Sequence, residues 1–166
     1  MDTERSDKFI AEWKNRVNPL QRASTAFQRT FKTSPESLFP LLCPTTEYDW
    51  VPNWSCDLLH SNSGRAEYNC VFRTRFLGPE ELWICTRYEP NRAIDYARSS
   101  SDVTSKLEIR LTDNCDGTVT VTWVMTMSAL NENGNAVVAQ KEAARERIEM
   151  ALTALEHYVN NGVMIS

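Results

Sequence analysis

The chain has 166 residues, a formal net charge of -4 and 42% hydrophobic residues. That suits one soluble domain with its own core and gives no general attraction to nucleic acid or anionic membranes. Five cysteines without a CxxC pair, and two histidines (His60 and His157) remote from any cysteine pair, fall short of a zinc ligand set. The cysteines are therefore expected to be free, small buried residues in a reducing compartment.

The opening MDTERSDKFIAEWK is too charged for a signal peptide, and no apolar run reaches membrane-spanning length, so a cytoplasmic protein without membrane insertion is expected. Residues 1–20 read as a helical arm, with Phe9, Ile10, Trp13 and Val17 on one side; a single domain is expected over 21–163. Residues 22–32, RASTAFQRTFK, predict a first strand. TSPESLFPLLCP then carries a helix start, with Ser34 as N-cap, Pro35 at the first helical position and Glu36 in the first turn. Pro40 and Pro44 keep that helix short. It leads into CPTTEYDWVPNWSC, residues 43–56, read as a loop or a broken second helix.

From about residue 55 to 130 the pattern is strand after strand. YNCVFRTRF sets Tyr68, Cys70, Phe72, Thr74 and Phe76 on one face. KLEIRLT sets Leu107, Ile109 and Leu111 on one face, and GTVTVTWVMTMSAL does the same for Val119, Val121, Trp123, Met125 and Met127. Period-two alternation with one polar face predicts an antiparallel sheet, wet on one side. SNSG, EPNR and NCDG read as short, hairpin-like connections. One long helix is predicted from about Asn135 to Asn161, capped by Gly162, with an apolar stripe of Val137, Ala144, Ile148, Ala151, Leu155 and Val159. At 1.5 Å per residue it would run about 40 Å, enough to cross a sheet. An α+β fold is expected, with a curved sheet of about six to seven strands wrapped around the closing helix and short helices after the first strand. Such an arrangement tends to leave a cavity of about 300–1,000 Å³ between helix and sheet.

TSPESLFPLL, RYEPNRAIDY, DGTVTVTWVM and the closing helix resemble the SRPBCC superfamily of START-related, birch-pollen-allergen-like helix-grip proteins, which includes polyketide cyclases and lipid-transport domains. The resemblance covers about residues 22–160. It is specific for the fold and nearly silent about function. The hairpin phrase departs from the family at Asn91, where a second proline is usual. CPTTEYDWVPNWSC looks like the opening of a cyclase/dehydrase-like subgroup and names no reaction. The resemblance implies a binder of a small hydrophobic molecule, with no cofactor. Its alternatives are a polyketide cyclase/dehydratase-like enzyme and a protein–protein adaptor of the ATPase-activator type.

In this fold the segment after the first helices closes one end of the cavity. Trp50 and Trp54 would then cap the pocket beside Tyr48, unless both are simply core. Glu47 and Asp49 lack an evident partner base. If Pro90 and Asn91 form a two-residue turn, Arg87 pairs with Ile94, Cys85 with Tyr96 and Trp83 with Arg98. Cross-strand partners share a face, so Trp83, Cys85 and Arg87 would point inward with Ile94 and Tyr96. Leu82 and Ile84 would then face outward, for a partner subunit or the arm to cover, and a homodimer is left open. A three-residue loop would reverse this assignment. On the even loop, Arg87 is a buried cation suited to a ligand carboxylate or phenolate, the alternative being an ion pair at the rim. The ligand-facing set is Trp50, Trp54, Phe72, Trp83, Arg87, Ile94, Tyr96, Ile109, Trp123, Met125 and Leu155. In the enzymatic alternative, Arg87, Tyr96, Glu47 and Tyr48 would polarise a carbonyl or shuttle protons. Neither histidine has an identifiable Ser or Cys partner, which argues against a nucleophilic triad.

Overall fold

The computed structural model describes residues 3–14, 20–76 and 78–166. Helix α1 (Thr3–Lys14) precedes strand β1 (Arg22–Phe31) and the short helix α2 (Pro35–Leu38). Two 3-10 turns follow, at Phe39–Leu42 and Glu47–Asp49. Six more strands come next: β2 (Cys56–His60), β3 (Val71–Thr74), β4 (Glu81–Glu89), β5 (Ala93–Ser99), β6 (Val103–Asp113) and β7 (Val119–Ala129). Helices α3 (Glu132–Ala139) and α4 (Lys141–Asn161) close the chain. The seven strands form one antiparallel sheet in the order β1-β7-β6-β5-β4-β3-β2. No described helix is long and apolar enough to cross a membrane.

The alternation expected of β6 and β7 is realised residue by residue. Leu107, Ile109 and Leu111 are buried beside Val119, Val121, Trp123, Met125 and Met127, with the polar positions between them turned outward. Ser34 caps α2 as expected, its hydroxyl accepting from the Ser37 N–H at 3.3 Å. NCDG makes the β6–β7 turn, closed by Asn114 N–H to Thr118 C=O at 3.1 Å.

Three expectations are corrected. SNSG does not make a tight hairpin. It opens a loop over residues 61–70, held by the Glu67 carboxylate accepting from the Asn62 and Ser63 N–H groups, and Tyr68 is left exposed in that loop. The closing helix is two helices rather than one. The chain bends at Gln140 (φ -85°, ψ 38°), so that α3 lies across the ends of β7, β1 and β6. Gly134 makes that crossing possible, because a Cβ there would stand 2.1 Å from the Asp102 carbonyl oxygen. Of the expected stripe, Leu155 is buried and Ala144, Ile148 and Val159 pack half-buried on the core, with Leu152 and Ala154 buried beside them, whereas Val137 of α3 is exposed. Gly162 at φ 70° ends α4 in the left-handed cap that the sequence indicated.

The third correction decides where a cation goes. Asn91 (φ 64°) does turn the chain between β4 and β5, but Arg92 joins the loop, its N–H donating to Glu89 C=O at 3.0 Å. The loop has three residues, so Tyr88 pairs with Ile94 and Arg87 with Asp95. A bulge at Thr86 then absorbs the extra residue and restores Cys85 opposite Tyr96 and Trp83 opposite Arg98. Trp83 and Cys85 therefore point inward as expected, while Arg87 is carried to the outer face and pairs with Glu89 at 2.9 Å. Leu82 and Ile84 face outward and stay exposed. The arm does not cover them: every described side chain of α1 is itself exposed, Phe9, Ile10 and Trp13 included. Val17 lies outside the described residues.

Candidate functional site

Inward-facing positions of β3, β4 and β5 build an aromatic wall. Phe72 and Trp83, cross-strand partners, stack at 5.3 Å with 19° between planes; Tyr96 stands edge-on to both at 5.6 and 5.9 Å. This offset-and-edge geometry is the favoured one for aromatic quadrupoles. The Tyr96 hydroxyl donates to the Leu42 carbonyl at 3.1 Å, tying the wall to the turn after α2. Ile94, Ile109, Trp123 and Met125 continue the surface, and Leu155 of α4 is buried with them. Most of the expected ligand-facing residues thus share one face.

The cation beside the aromatic wall is Arg98. Its guanidinium lies 4.8 Å from the centre of the Trp83 ring. Nη1 donates to Glu81 at 3.1 Å and Nη2 to the Met125 sulfur at 3.2 Å. Its Nε is buried with no hydrogen-bond partner among the described residues, and so is Trp123 Nε1. Burial holds the Arg98 guanidinium below its ordinary value; Glu81 opposes that effect, and Arg147 of α4 reinforces it. Arg98 could have been found in the sequence. The same pairing that turns Trp83 inward turns its partner Arg98 inward as well.

The segment 43–56 folds back on the domain through aromatic hydrogen bonds. Trp50 is fully buried, with Nε1 donating to Leu41 C=O at 2.9 Å. Trp54 is half-buried against Phe76 at 5.4 Å, with Nε1 donating to Pro44 C=O at 2.8 Å. Tyr48 is exposed, and its hydroxyl is committed to the backbone of Cys56, donating to C=O at 3.0 Å and accepting from N–H at 2.8 Å. Glu47 differs from these. Part of its surface stays accessible, yet protein atoms crowd the carboxyl so that burial pushes it up to about 8. Among the described residues its carboxylate accepts no hydrogen bond. Burial raises the Cys56 thiol to about 12 and the Tyr96 phenol well above its usual range, and in each the nearby Glu47 charge adds to the rise.

Two concavities lie elsewhere, the smaller of them reaching Ile94 at the margin of the wall. One, of about 670 Å³, opens on the outer face of the sheet between Arg22, Arg87, Asp95, Lys106 and Ser128. There the buried Asp95 carboxylate is held by the Arg110 guanidinium, with Nη2 to Oδ2 at 3.1 Å. The other, about 130 Å³, lies between Pro40, Cys43, Arg65 and Tyr88. All five cysteines are free, and among the described residues no cluster of three or more His, Cys, Asp or Glu side chains could hold a metal ion.

No family model matches the chain, and no curated protein matches it. Solved structures do. Ara h 8.0201 is similar at a TM-score of 0.62 and 15% identity, over 84% of this chain and 98% of its own. An Aha1 dimer from Colwellia psychrerythraea, solved in solution, gives the same TM-score of 0.62 at 15% identity, over 84% and 98%. DynU16, from the dynemicin biosynthetic locus, gives 0.60 at 14% identity, over 84% of this chain and 48% of its own. Likeness at this level establishes the fold, which is the helix-grip fold that the sequence resemblance implied.

Proposed function

We propose that the protein binds a small apolar molecule on the inner face of its sheet, beneath the first half of α4. One observation carries this reading: α4 is less deeply buried over its first half than at Leu152, Ala154 and Leu155. Leu152, Ala154 and Leu155 are buried, whereas Ala144, Ile148 and Ala151 are half-buried and Arg145, Arg147 and Met150 exposed. On the inner face, Trp83, Leu107, Leu111 and Trp123 keep 8–9% of their surface, while Phe72, Cys85 and Ile109 are at 0–2%. An apolar wall with a few inward donors matches the usual chemistry of small-molecule sites. The proposed contacts are Phe72, Trp83, Ile94, Tyr96, Ile109, Trp123, Met125 and Leu155, with Trp50 and Trp54 bracing the closed end. Structural likeness to Ara h 8.0201 and DynU16 supports the scaffold and no particular ligand. Five free thiols fit a reducing, cytoplasmic setting.

A cyclase- or dehydratase-type reaction is a second reading, and Glu47 is the observation that favours it. A carboxyl raised to about 8 beside Tyr96 has the proton affinity of a general acid–base group near neutral pH.

Native mass spectrometry of freshly purified protein, with displacement of an apolar fluorescent dye, tests the binding reading. A co-purifying small molecule that competes with the dye supports it. Absence of saturable dye binding by the folded protein overturns it.

A further inference from the structure

The donors left over on the inner face specify more than an apolar pocket. Among the described residues, Trp50, Trp54 and Trp83 all satisfy their indole N–H, the last on Thr74 at 2.9 Å. Trp123 does not, although it is buried. Arg98 shows a matching imbalance along one edge of its guanidinium. Nη1 is engaged by Glu81. The opposite edge, formed by Nε and Nη2, holds no oxygen: Nε is unpartnered and Nη2 meets only the thioether of Met125, a weak acceptor. Nε and Nη2 together form one of the planar forks that match a carboxylate through two parallel hydrogen bonds. Met125 and Trp123 are successive inward residues of β7, so the vacant edge, which meets Met125, and the unpaired indole N–H belong to the same inner face. A buried donor without an acceptor is costly, and this inner face holds two of them. Charge adds to this. Glu81 is the acid paired with Arg98, while Arg147 approaches from α4.

We infer that the molecule bound on this face ends in a carboxylate, and that this group docks on the Nε/Nη2 edge of Arg98 with Trp123 Nε1 as a third donor. The inference rests on the apolar-pocket reading above. The flexible Met125 side chain yields its place on Nη2, and the apolar remainder of the molecule runs along Trp83, Phe72 and Ile109. The site discriminates by charge. A neutral isostere keeps the wall contacts and forfeits the fork.

Calorimetric titration with dodecanoate and with methyl dodecanoate, at about pH 7, tests it on wild type, Arg98→Met and Trp123→Phe. Wild type is expected to prefer the acid by about tenfold or more, from hydrogen bonds to a charged group. Arg98→Met should erase that preference while keeping the ester affinity. Trp123→Phe, which removes the N–H and keeps a ring, should lower acid affinity about threefold to tenfold. If Arg98→Met fails to fold, Arg98→Lys reads the same point, since it keeps the charge without the fork. Equal affinity for acid and ester in wild type overturns the carboxylate site and leaves the pocket standing. An acid preference that survives in the folded Arg98 and Trp123 variants also overturns it. If neither probe nor the apolar dye binds, the pocket itself is gone and the carboxylate site with it.

Discussion

Replacing Glu47 by Gln should make the protein more stable in alkali, by an amount the structure lets one bound. Burial moves this carboxyl from 4.5 to about 8, so the folded chain holds the proton where the unfolded chain has released it. The stability tied to that proton is fully present below about 4.5 and is lost as pH rises through about 8. A gap of 8 - 4.5, or 3.5 units, at about 1.4 kcal/mol per unit gives a ceiling near 5 kcal/mol. Glu47 keeps some accessible surface, so screening by water brings the expected loss to about 2–3 kcal/mol. Gln supplies the neutral form at every pH. Urea unfolding followed by tryptophan fluorescence, at pH 4.5 and pH 9, should show the two proteins within about 0.5 kcal/mol in acid. At the higher pH the variant should lead by about 2–3 kcal/mol. A difference that does not change with pH, or a variant that is weaker at pH 9, would show a solvated carboxylate and refute the reasoning.

Trp54→Ala removes the Phe76 contact and the bond to Pro44; it should cost about 3 kcal/mol in urea unfolding and weaken binding of an apolar dye. Unchanged dye affinity in the folded variant would place Trp54 away from the pocket. Gly134→Ala forces a Cβ against the Asp102 carbonyl and should destabilise by about 2–3 kcal/mol or more, seen as a drop in Tm; a neutral result would mean that α3 can lift off β7. Thiol titration should find Cys115, the exposed cysteine, reacting first in native protein, and all five reacting in denaturant. Two thiols missing after denaturation would reveal a disulfide.

The inward set of β6 and β7 was readable because period-two alternation has a single physical solution once one face is wet. The capped start of α2 was readable because Ser34 and Pro35 each satisfy a specific need of a helix N-terminus. The position of Arg87 was not. A three-residue turn and a compensating bulge cancel over the strand as a whole, and Thr86 carries no residue signal for a bulge. The bend at Gln140 likewise lacks a proline or glycine. It arises because α3 must bury Val138 against the sheet while α4 buries a differently oriented stripe, which is tertiary packing overriding local propensity. Glu47 was read as one of two loop acids without a partner base. Its burial within charge range of Tyr96, 49 residues away in sequence, is set by the fold, and no local pattern announces it.

The way Arg29 is held gives α4 a mechanical character. This inward-facing residue of β1 reaches Glu149 at 3.1 Å and Glu156 at 3.4 Å, fastening the middle of the helix to one edge of the sheet. At the other end the bend at Gln140 is a ready-made joint. The helix is thus a stiff beam, fastened near its middle and jointed at its start, with its first turns less deeply buried. A guest can be admitted by a small tilt of the beam, with every hydrogen bond inside α4 intact. Hydrogen exchange would then show the α4 amides staying protected during exchange of a bound molecule. Rapid exchange of residues 144–151 during that process would mean the beam melts instead of pivoting.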